Sequence, residues 1–401
     1  MTKKLFENNS MLKTCQATVV ACTEKDGQYL IELDQTVFFP EGGGQLSDRG
    51  KLGDAEVLHV SEKGGQIFHE CNKPLEVGSS VEAAIDWDVR LDRMQQHCGE
   101  HILSYACWKL FEASNVGFRM NESIVTIDLD KDLNEEQLAE AELLTNKIIW
   151  ENRPVHVDYM DSTEAVALKD KMRKFNDKLT GLLRIVTVED ADVCTCCGTH
   201  PPYTGMVGSV KIIRREKHKG GCRVEFLCGR RALQDASFKN TLMLQIANGF
   251  SCKLEQVEEH LANQVKEIAS LKDRLNKLSG KMLEAKVQEE LQNAPSCANG
   301  AKLLKLVITE GDGKEGKQLL PKVTAIENTV SLLFTIQPER ISYIVALTPG
   351  TPGNCQQYIR LINEAFGGRG GGKPDCTQGG SNYCADWEAK LDAVVAKILE
   401  M

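Results

Sequence analysis

Apolar residues in this chain keep one period up to about residue 88 and another beyond it, so no single layer of structure accommodates the whole chain. Before that point, short runs rich in β-branched and aromatic residues (Cys15–Cys22, Tyr29–Phe39, Ala55–Val60, Gln66–Cys71 and Ser80–Trp87) are punctuated by Gly, Asn, Asp and Pro. Such runs predict strands, with Gly64-Gly65 as a hairpin turn, and together a small barrel. From Val89 the period becomes helical: Leu91, Met94, Ile102, Leu103, Ala106, Leu110 and Phe111 fall on one face. Further strands are predicted at Ile124–Leu129, Val155–Tyr159, Leu183–Val188, Val207–Arg214 and Cys222–Leu227. A helix from about Asn134 to Glu151 opens with Asn134 as N-cap and Gln137 at N3.

A third regime follows. After a helix at about Arg231–Ala247, stopped by Asn248-Gly249, the residues Leu254, Leu261, Ile268, Leu275 and Met282 recur every seven positions. Val257, Leu271 and Leu278 sit three after their partners, which is coiled-coil spacing. This seam either folds back on the preceding helix or pairs with a second copy of the chain as a homodimer. Pro295–Gly300 is a break. Beyond it come a strand at Leu303–Thr309, a helix around Leu319–Ile326, a strand at Ile341–Leu347, and helices at Cys355–Phe366 and Ala385–Leu399, with a glycine-rich loop from Gly367 to Asp375. The expected fold is an α+β multidomain chain. A β-barrel occupies residues 1–88, a mixed α+β domain 89–231, a helical coiled-coil connector 232–294 and a small α/β domain 295–401.

Fifteen cysteines in a chain of 401 residues with no apolar h-region near its start do not read as a disulfide framework. No apolar run approaches the roughly 20 residues of a membrane helix, so the expected location is the cytoplasm and no membrane partner is expected. The net charge of −9 argues against nucleic acid for the chain as a whole. Of the local basic runs, Lys169–Lys174 reads as solvated surface charge, whereas Lys211–Lys219 and Arg230-Arg231 argue for phosphate contact because they flank the clustered metal-type residues described next.

Three of the cysteines, Cys194, Cys196 and Cys197, lie within four positions. The motif Cys196-Cys-Gly-Thr-His200 offers a thiolate and an imidazole on a loop. His97-Cys-Gly-Glu-His101 offers two more imidazoles one helical turn apart, on one face. Two histidines from a helix plus a cysteine and a histidine from a loop make a four-ligand set suited to zinc: His97, His101, Cys196 and His200, with Cys194 or Cys197 able to replace Cys196. The first motif alone also fits an inverzincin metallopeptidase, which needs a further acidic ligand that nothing here marks. Glu100 shares the histidine face and is the candidate general base. In the barrel, Pro40-Glu-Gly-Gly-Gly-Gln45 brings glycine backbone (Gly43, Gly44) and an amide (Gln45) close to a ligand.

In this order, P-E-G-G-G-Q, H-x-x-x-H and C-x-G-T-H resemble the free-standing alanyl-tRNA editing proteins of the long form, relatives of the editing domain of alanyl-tRNA synthetase. Gly205-Met-Val-Gly-Ser-Val-Lys-Ile-Ile213 matches the same pattern. The C-terminal Gly-rich run with Lys373-Pro-Asp-Cys-Thr-Gln-Gly-Gly380 is similar to the synthetase's C-terminal domain, also found after DHH phosphoesterases. The resemblance implies zinc at His97, His101, Cys196 and His200, and cleavage of the ester that joins serine or glycine to the tRNA for alanine. It makes residues 89–231 the editing domain. The stretch Val116–Asp128 is similar to the segment lining the amino-acid pocket, although Arg119 and Asn121 depart from the commoner residues there. Ser123 and Thr126 are its candidate pocket hydroxyls. The C-terminal domain is expected to bind tRNA through Arg369 and Lys373. A tRNA-binding protein whose zinc is only structural is the rival reading. A full synthetase is set aside because no region is left for ATP activation, and a phosphoesterase because no Asp-His-His occurs.

Overall fold

A computed structural model of the chain describes residues 1–166, 169, 172–173, 180–309 and 315–401. The basic run Lys169–Lys174 therefore lies partly outside the described residues. The chain divides into two compact units, residues 1–249 and 250–401. It is a mixed α+β protein, and among the described residues no helix is long and apolar enough to cross a membrane.

In the first unit, six strands close a barrel: β1 (Thr14–Lys25), β2 (Gln28–Leu33), β3 (Gly50–Leu52), β4 (Ala55–Lys63), β5 (Gln66–Cys71) and β6 (Ser80–Ile85), in the order β1-β2-β5-β4-β3-β6. Alternation sends Val19, Ile31, Leu33, Leu52, Val57, Val60 and Ile67 inward as its core. Helix α1 (Trp87–Phe111) leaves the barrel through Asp86, whose side chain accepts from the backbone N–H groups of Asp88 and Val89. Arg90 pins this helix to the barrel. It is fully buried, pairs with Asp48 and donates to the carbonyls of Ser10 (2.7 Å) and Val37 (2.6 Å).

Helix α1 packs Cys98, Ile102, Leu103, Ala106 and Cys107 onto an antiparallel sheet. Its strands are β7 (Asn115–Met120), β8 (Val125–Leu129), β12 (Val210–His218) and β13 (Gly221–Cys228), ordered β12-β13-β8-β7. Between β8 and β12 come helix α2 (Glu135–Trp150) and a three-stranded sheet of β9 (Val155–Asp161), β10 (Leu182–Val188) and β11 (Val193–Thr195). Helix α2 begins on the predicted capping box, with Asn134 and Gln137 each bonding the other's backbone N–H. Helix α3 (Gly229–Gly249) closes the unit. Strand β7 is absent from the sequence reading because Gly117 interrupts its short apolar pattern.

The second unit carries the long helix α4 (Val257–Gln292), then β14 (Lys302–Ile308), α5 (Glu315–Val323), β15 (Thr329–Ile336), β16 (Arg340–Leu347), α6 (Cys355–Phe366), β17 (Arg369–Gly372), β18 (Cys376–Asn382) and α7 (Trp387–Leu399). The five strands run β14-β15-β16-β18-β17, with only the first pair parallel. One sheet face packs on α6 and α7 through Val330, Leu332, Phe334, Ile359, Ile362, Leu391 and Ile398. On the other, the end of α4 (Leu283, Val287) and α5 (Leu319, Val323) cover Leu304, Leu306 and Leu333. The seam residues Leu261, Ile268, Leu271, Leu275, Leu278 and Met282 are exposed in the single chain. Several sequence expectations change, and β18 is a strand that the sequence reading does not contain. Strand β15 is additional: buried at all eight positions, it has no period-two alternation to betray it. The glycine-rich Gly367–Asp375 is no open loop, since Arg369–Gly372 pair with β18 as a hairpin.

Candidate metal centre and active site

Helix α1 is buried on its polar side as well as its apolar one: Arg90, Arg93, Gln96, His97, Glu100, His101 and Ser104 are all inaccessible. Charged and polar side chains are rarely fully buried unless paired or ligating, so this stripe marks a site. Into it runs the loop after β11. His97 Nε2 lies 3.2 Å from Cys196 Sγ, and His200 Nε2 lies 3.4 Å from the same sulfur. With His101, these donor atoms all fall within 4.8 Å of one another. Zinc bonded at about 2.0–2.1 Å to nitrogen and about 2.3 Å to sulfur sets tetrahedral ligand atoms roughly 3.3–3.6 Å apart. The donor set fits such an ion.

The electrostatics single out one cysteine of the three. Burial raises a thiol, but around Cys196 the imidazoles of His97, His101 and His200 outweigh it and hold its pKa well below the ordinary value. Burial pushes Cys194 up to about 12, and Cys197, the exposed one, is raised as well. Burial lowers His200 to about 3, leaving the neutral imidazole a metal needs. Burial by itself would lower His101 too, yet Cys194, Cys196 and Asp192 raise it. The centre thus gathers anionic groups that a cation would balance.

Residues without a sequence signature orient these groups. Asp192 Oδ2 lies 3.1 Å from His101 Nδ1, and Asp192 Oδ1 accepts from Arg173 Nε at 3.0 Å. An imidazole whose Nδ1–H is given to a carboxylate presents Nε2 to a metal. Cys194 Sγ, 3.2 Å from the same Nδ1, belongs to this outer layer. Glu100 Oε1 accepts from Ser104 Oγ (2.6 Å) and Asn115 Nδ2 (2.7 Å), while its Oε2 lies 3.9 Å from His101 Nε2. The loop carrying Cys196 is held by Arg184, which donates to the carbonyls of Cys196 (2.7 Å) and Gly198 (2.9 Å), and by Ser10, whose hydroxyl donates to His200 O (2.6 Å).

The barrel loop reaches the same place. Gln45 is fully buried; its Nε2 donates to Thr199 Oγ1 (2.8 Å), and the Thr199 N–H donates back to its Oε1 (3.0 Å). Gly198 has no room for a side chain, because a Cβ there would stand 2.4 Å from His97 Cε1 and 2.8 Å from Gln45 Oε1. Gly44, at φ +82, packs on the ring of Phe118, which in turn meets His97 edge-on at 5.4 Å between centroids. Gly43, at φ +59, has open space where a side chain would be.

The two hydroxyls expected to line the pocket are elsewhere. Thr126 pairs with exposed Arg119, on the sheet face opposite Phe118 and its partner Ile127. Ser123 is exposed in the turn before β8, bonded to Asn121. The basic runs flanking the centre are largely paired. Lys211 meets Glu142, Arg215 meets Asp132, Arg230 meets Asp88 and Arg231 meets Asp92.

Comparison with known proteins agrees in order and extent. The family described as "Threonyl and Alanyl tRNA synthetase second additional domain" matches residues 183–225, and "tRNA synthetases class II (A)" matches residues 6–89. The alanyl-tRNA editing protein AlaX-L of Pyrococcus horikoshii is 30% identical over 396 residues, 94% of each chain. The alanyl-tRNA editing protein Aarsd1-A of Xenopus laevis is 31% identical, covering 92% of this chain and 88% of its own. The alanine–tRNA ligase of Pyrococcus abyssi is 29% identical over 98% of this chain and 43% of the ligase.

Proposed function

The chain belongs to the alanyl-tRNA editing proteins, and from that membership we propose a zinc-dependent hydrolase that clears serine or glycine from the tRNA for alanine. It is an aminoacyl-tRNA hydrolase, and the bond broken is the ester between amino acid and terminal adenosine. The observation that carries the zinc is the convergence of His97, His101 and His200 on the Cys196 thiolate.

Zinc held by these four residues would supply a fixed positive charge beside the ester. An aminoacyl ester is already activated, so positioning does much of the remaining work. In this proposal Glu100 takes a proton from the attacking water. Its Oε1 is fixed by Ser104 and Asn115, which leaves Oε2 as the acceptor on the metal side. The Gly43-Gly44 turn supplies backbone for the substrate, and Gln45 keeps that turn docked. The positions of Ser123 and Thr126 support no pocket role. Residues 1–88 would contribute the glycine-rich loop, 89–231 the chemistry, 232–294 a connector able to form a homodimer, and 295–401 tRNA binding, all in the cytoplasm.

The pocket has to accept serine and glycine and spare alanine, whose size lies between them. A steric sieve cannot do this, whereas a hydrogen bond specific for a hydroxyl can select serine. The expected order of hydrolysis is Ser-tRNA, then Gly-tRNA, then Ala-tRNA, followed as deacylation with and without a chelator. Equal rates on serine and alanine esters reject the editing role. Binding of tRNA without deacylation points instead to a tRNA-binding protein whose zinc is structural.

A further inference from the structure

Helix α1 carries a second buried cation that the centre does not use. Arg93 is 2% exposed and stands four residues before His97, on the same face and about 6 Å along the axis. Among the described residues its one hydrogen-bond partner is Glu122, whose Oε1 lies 3.4 Å from Nη2, while its Nη1 is buried with no partner. A buried guanidinium with a bond unmade costs free energy. Burial accordingly pulls its pKa down further than the Asp48 and Glu122 carboxylates push it up.

The surroundings are short of negative charge. Arg49, at the end of the barrel loop, shares Glu122 Oε1 at 2.9 Å. Asp48 is taken by Arg90, and Asp92 by Arg231. Four arginines therefore meet three carboxylates, and the two that share one are Arg49 and Arg93. Glu122 is also the most exposed of the three acids, at 62%, with Arg49 at 53%, and an ion pair so open to water holds weakly. The backbone beneath it is fixed instead. Asn121 Oδ1 accepts from the N–H groups of Ser123 (2.8 Å) and Ile124 (2.7 Å), and Arg231 donates to Asn121 O (2.7 Å). The Glu122 side chain can swing away while the turn stays, freeing two guanidinium groups that meet on a single oxygen atom.

Strand β7 ties this place to the metal centre: it meets His97 through Phe118, beside Gly44, and leads on to the turn that carries Glu122. The sugar of one nucleotide spans a gap of about one helical turn between its ester-bearing hydroxyl and its 5′-phosphate. The flat fork of arginine fits phosphate oxygens in pairs. We infer that Arg93 and Arg49 bind the 5′-phosphate of the nucleotide whose ester is cleaved, and that Glu122 holds its place in the free chain. The choice of nucleotide rests on the proposed function; the anion site rests on the arginines.

The test uses the full chain. Equilibrium binding of AMP and of adenosine is compared in the wild type, Arg93→Gln, Arg49→Gln and Glu122→Gln, with metal content and thermal midpoint as folding controls. Expected is AMP held about tenfold tighter than adenosine by the wild type, the scale of one charge-assisted contact. That preference should shrink in Arg49→Gln, vanish in Arg93→Gln and grow in Glu122→Gln. Hydrolysis of 3′-O-seryl adenosine with and without a 5′-phosphate should give the same ranking in KM. No AMP preference in either the wild type or Glu122→Gln overturns the site, and so does a preference that the arginine variants keep. If Arg93→Gln does not fold, the two exposed positions decide, and an unchanged preference in both Arg49→Gln and Glu122→Gln overturns the site. An arginine-dependent preference for AMP in a protein that hydrolyses neither ester keeps the site and overturns the editing reading.

Discussion

Two glycine and aspartate positions carry more of the centre than their chemistry suggests. Gly198 sits where His97 and Gln45 close in, so Gly198→Ala has to move one of them. Expected are a loss of most of the zinc and about 1–3 kcal/mol of stability, read by metal analysis and urea unfolding. Full zinc with an unchanged unfolding midpoint counts against the packing described. Asp192→Asn removes the carboxylate between His101 and Arg173. Zinc affinity should fall by roughly 10–100-fold in a chelator competition, with Cys194→Ala nearly neutral beside it. If Cys194→Ala proves the more damaging of the two, that cysteine is a ligand and Cys196 is not. The cluster of candidate ligands is legible in the sequence because spacing is a local signal: His97 with His101, Cys196 with His200. Asp192, Arg173 and Asn115 are not, because a lone polar residue reads as surface until the fold buries it.

At the scale of elements, sequence reading succeeds where one side of an element faces water. The Asn134 capping box and the helix Cys355–Phe366 were expected and are present. Strand β15 carries no alternation in the sequence because both its sides are covered, and glycine repeats hide the strand that holds Arg369. Helix α4 poses the opposite case, an apolar seam plain in the sequence and left open to solvent in the single chain. A 36-residue helix with that stripe would bury it by pairing with a second copy, as heptad spacing favours. Ile268→Lys with Leu275→Lys should then convert a dimer to a monomer in sedimentation, with zinc content retained. A wild type that sediments as a monomer at all concentrations removes the seam from consideration.

For the whole molecule, every residue of the candidate centre falls within residues 1–249, one of the two compact units, and the domain proposed to bind tRNA within the other. Chemistry and grip are therefore separable by experiment. Truncation after Gly249 should keep zinc and most of kcat on mischarged tRNA while raising KM by about tenfold, the scale expected when one or two phosphate contacts are lost. An unchanged KM in the truncated protein assigns the second unit some task other than holding tRNA. Changes of period along the chain suggest a division into barrel, α+β domain, connector and α/β domain, while the compact units meet at residues 249 and 250, inside the expected connector. That the barrel contributes to the metal loop is not legible in this way, since no period reports on contacts between domains.

Gln45 and Thr199 are 154 residues apart, and a ribosome adding about 5–20 residues per second takes roughly 8–30 s to cover that interval. In its later part, once residue 101 has been made, the barrel has its strands but not the partner of its buried amide, and His97 and His101 have no Cys196 thiolate beside them. The nascent chain thus passes through a timed stage in which two histidines wait for a cysteine. If the centre takes zinc as proposed, the order of synthesis as well as affinity would govern how fast the chain is loaded.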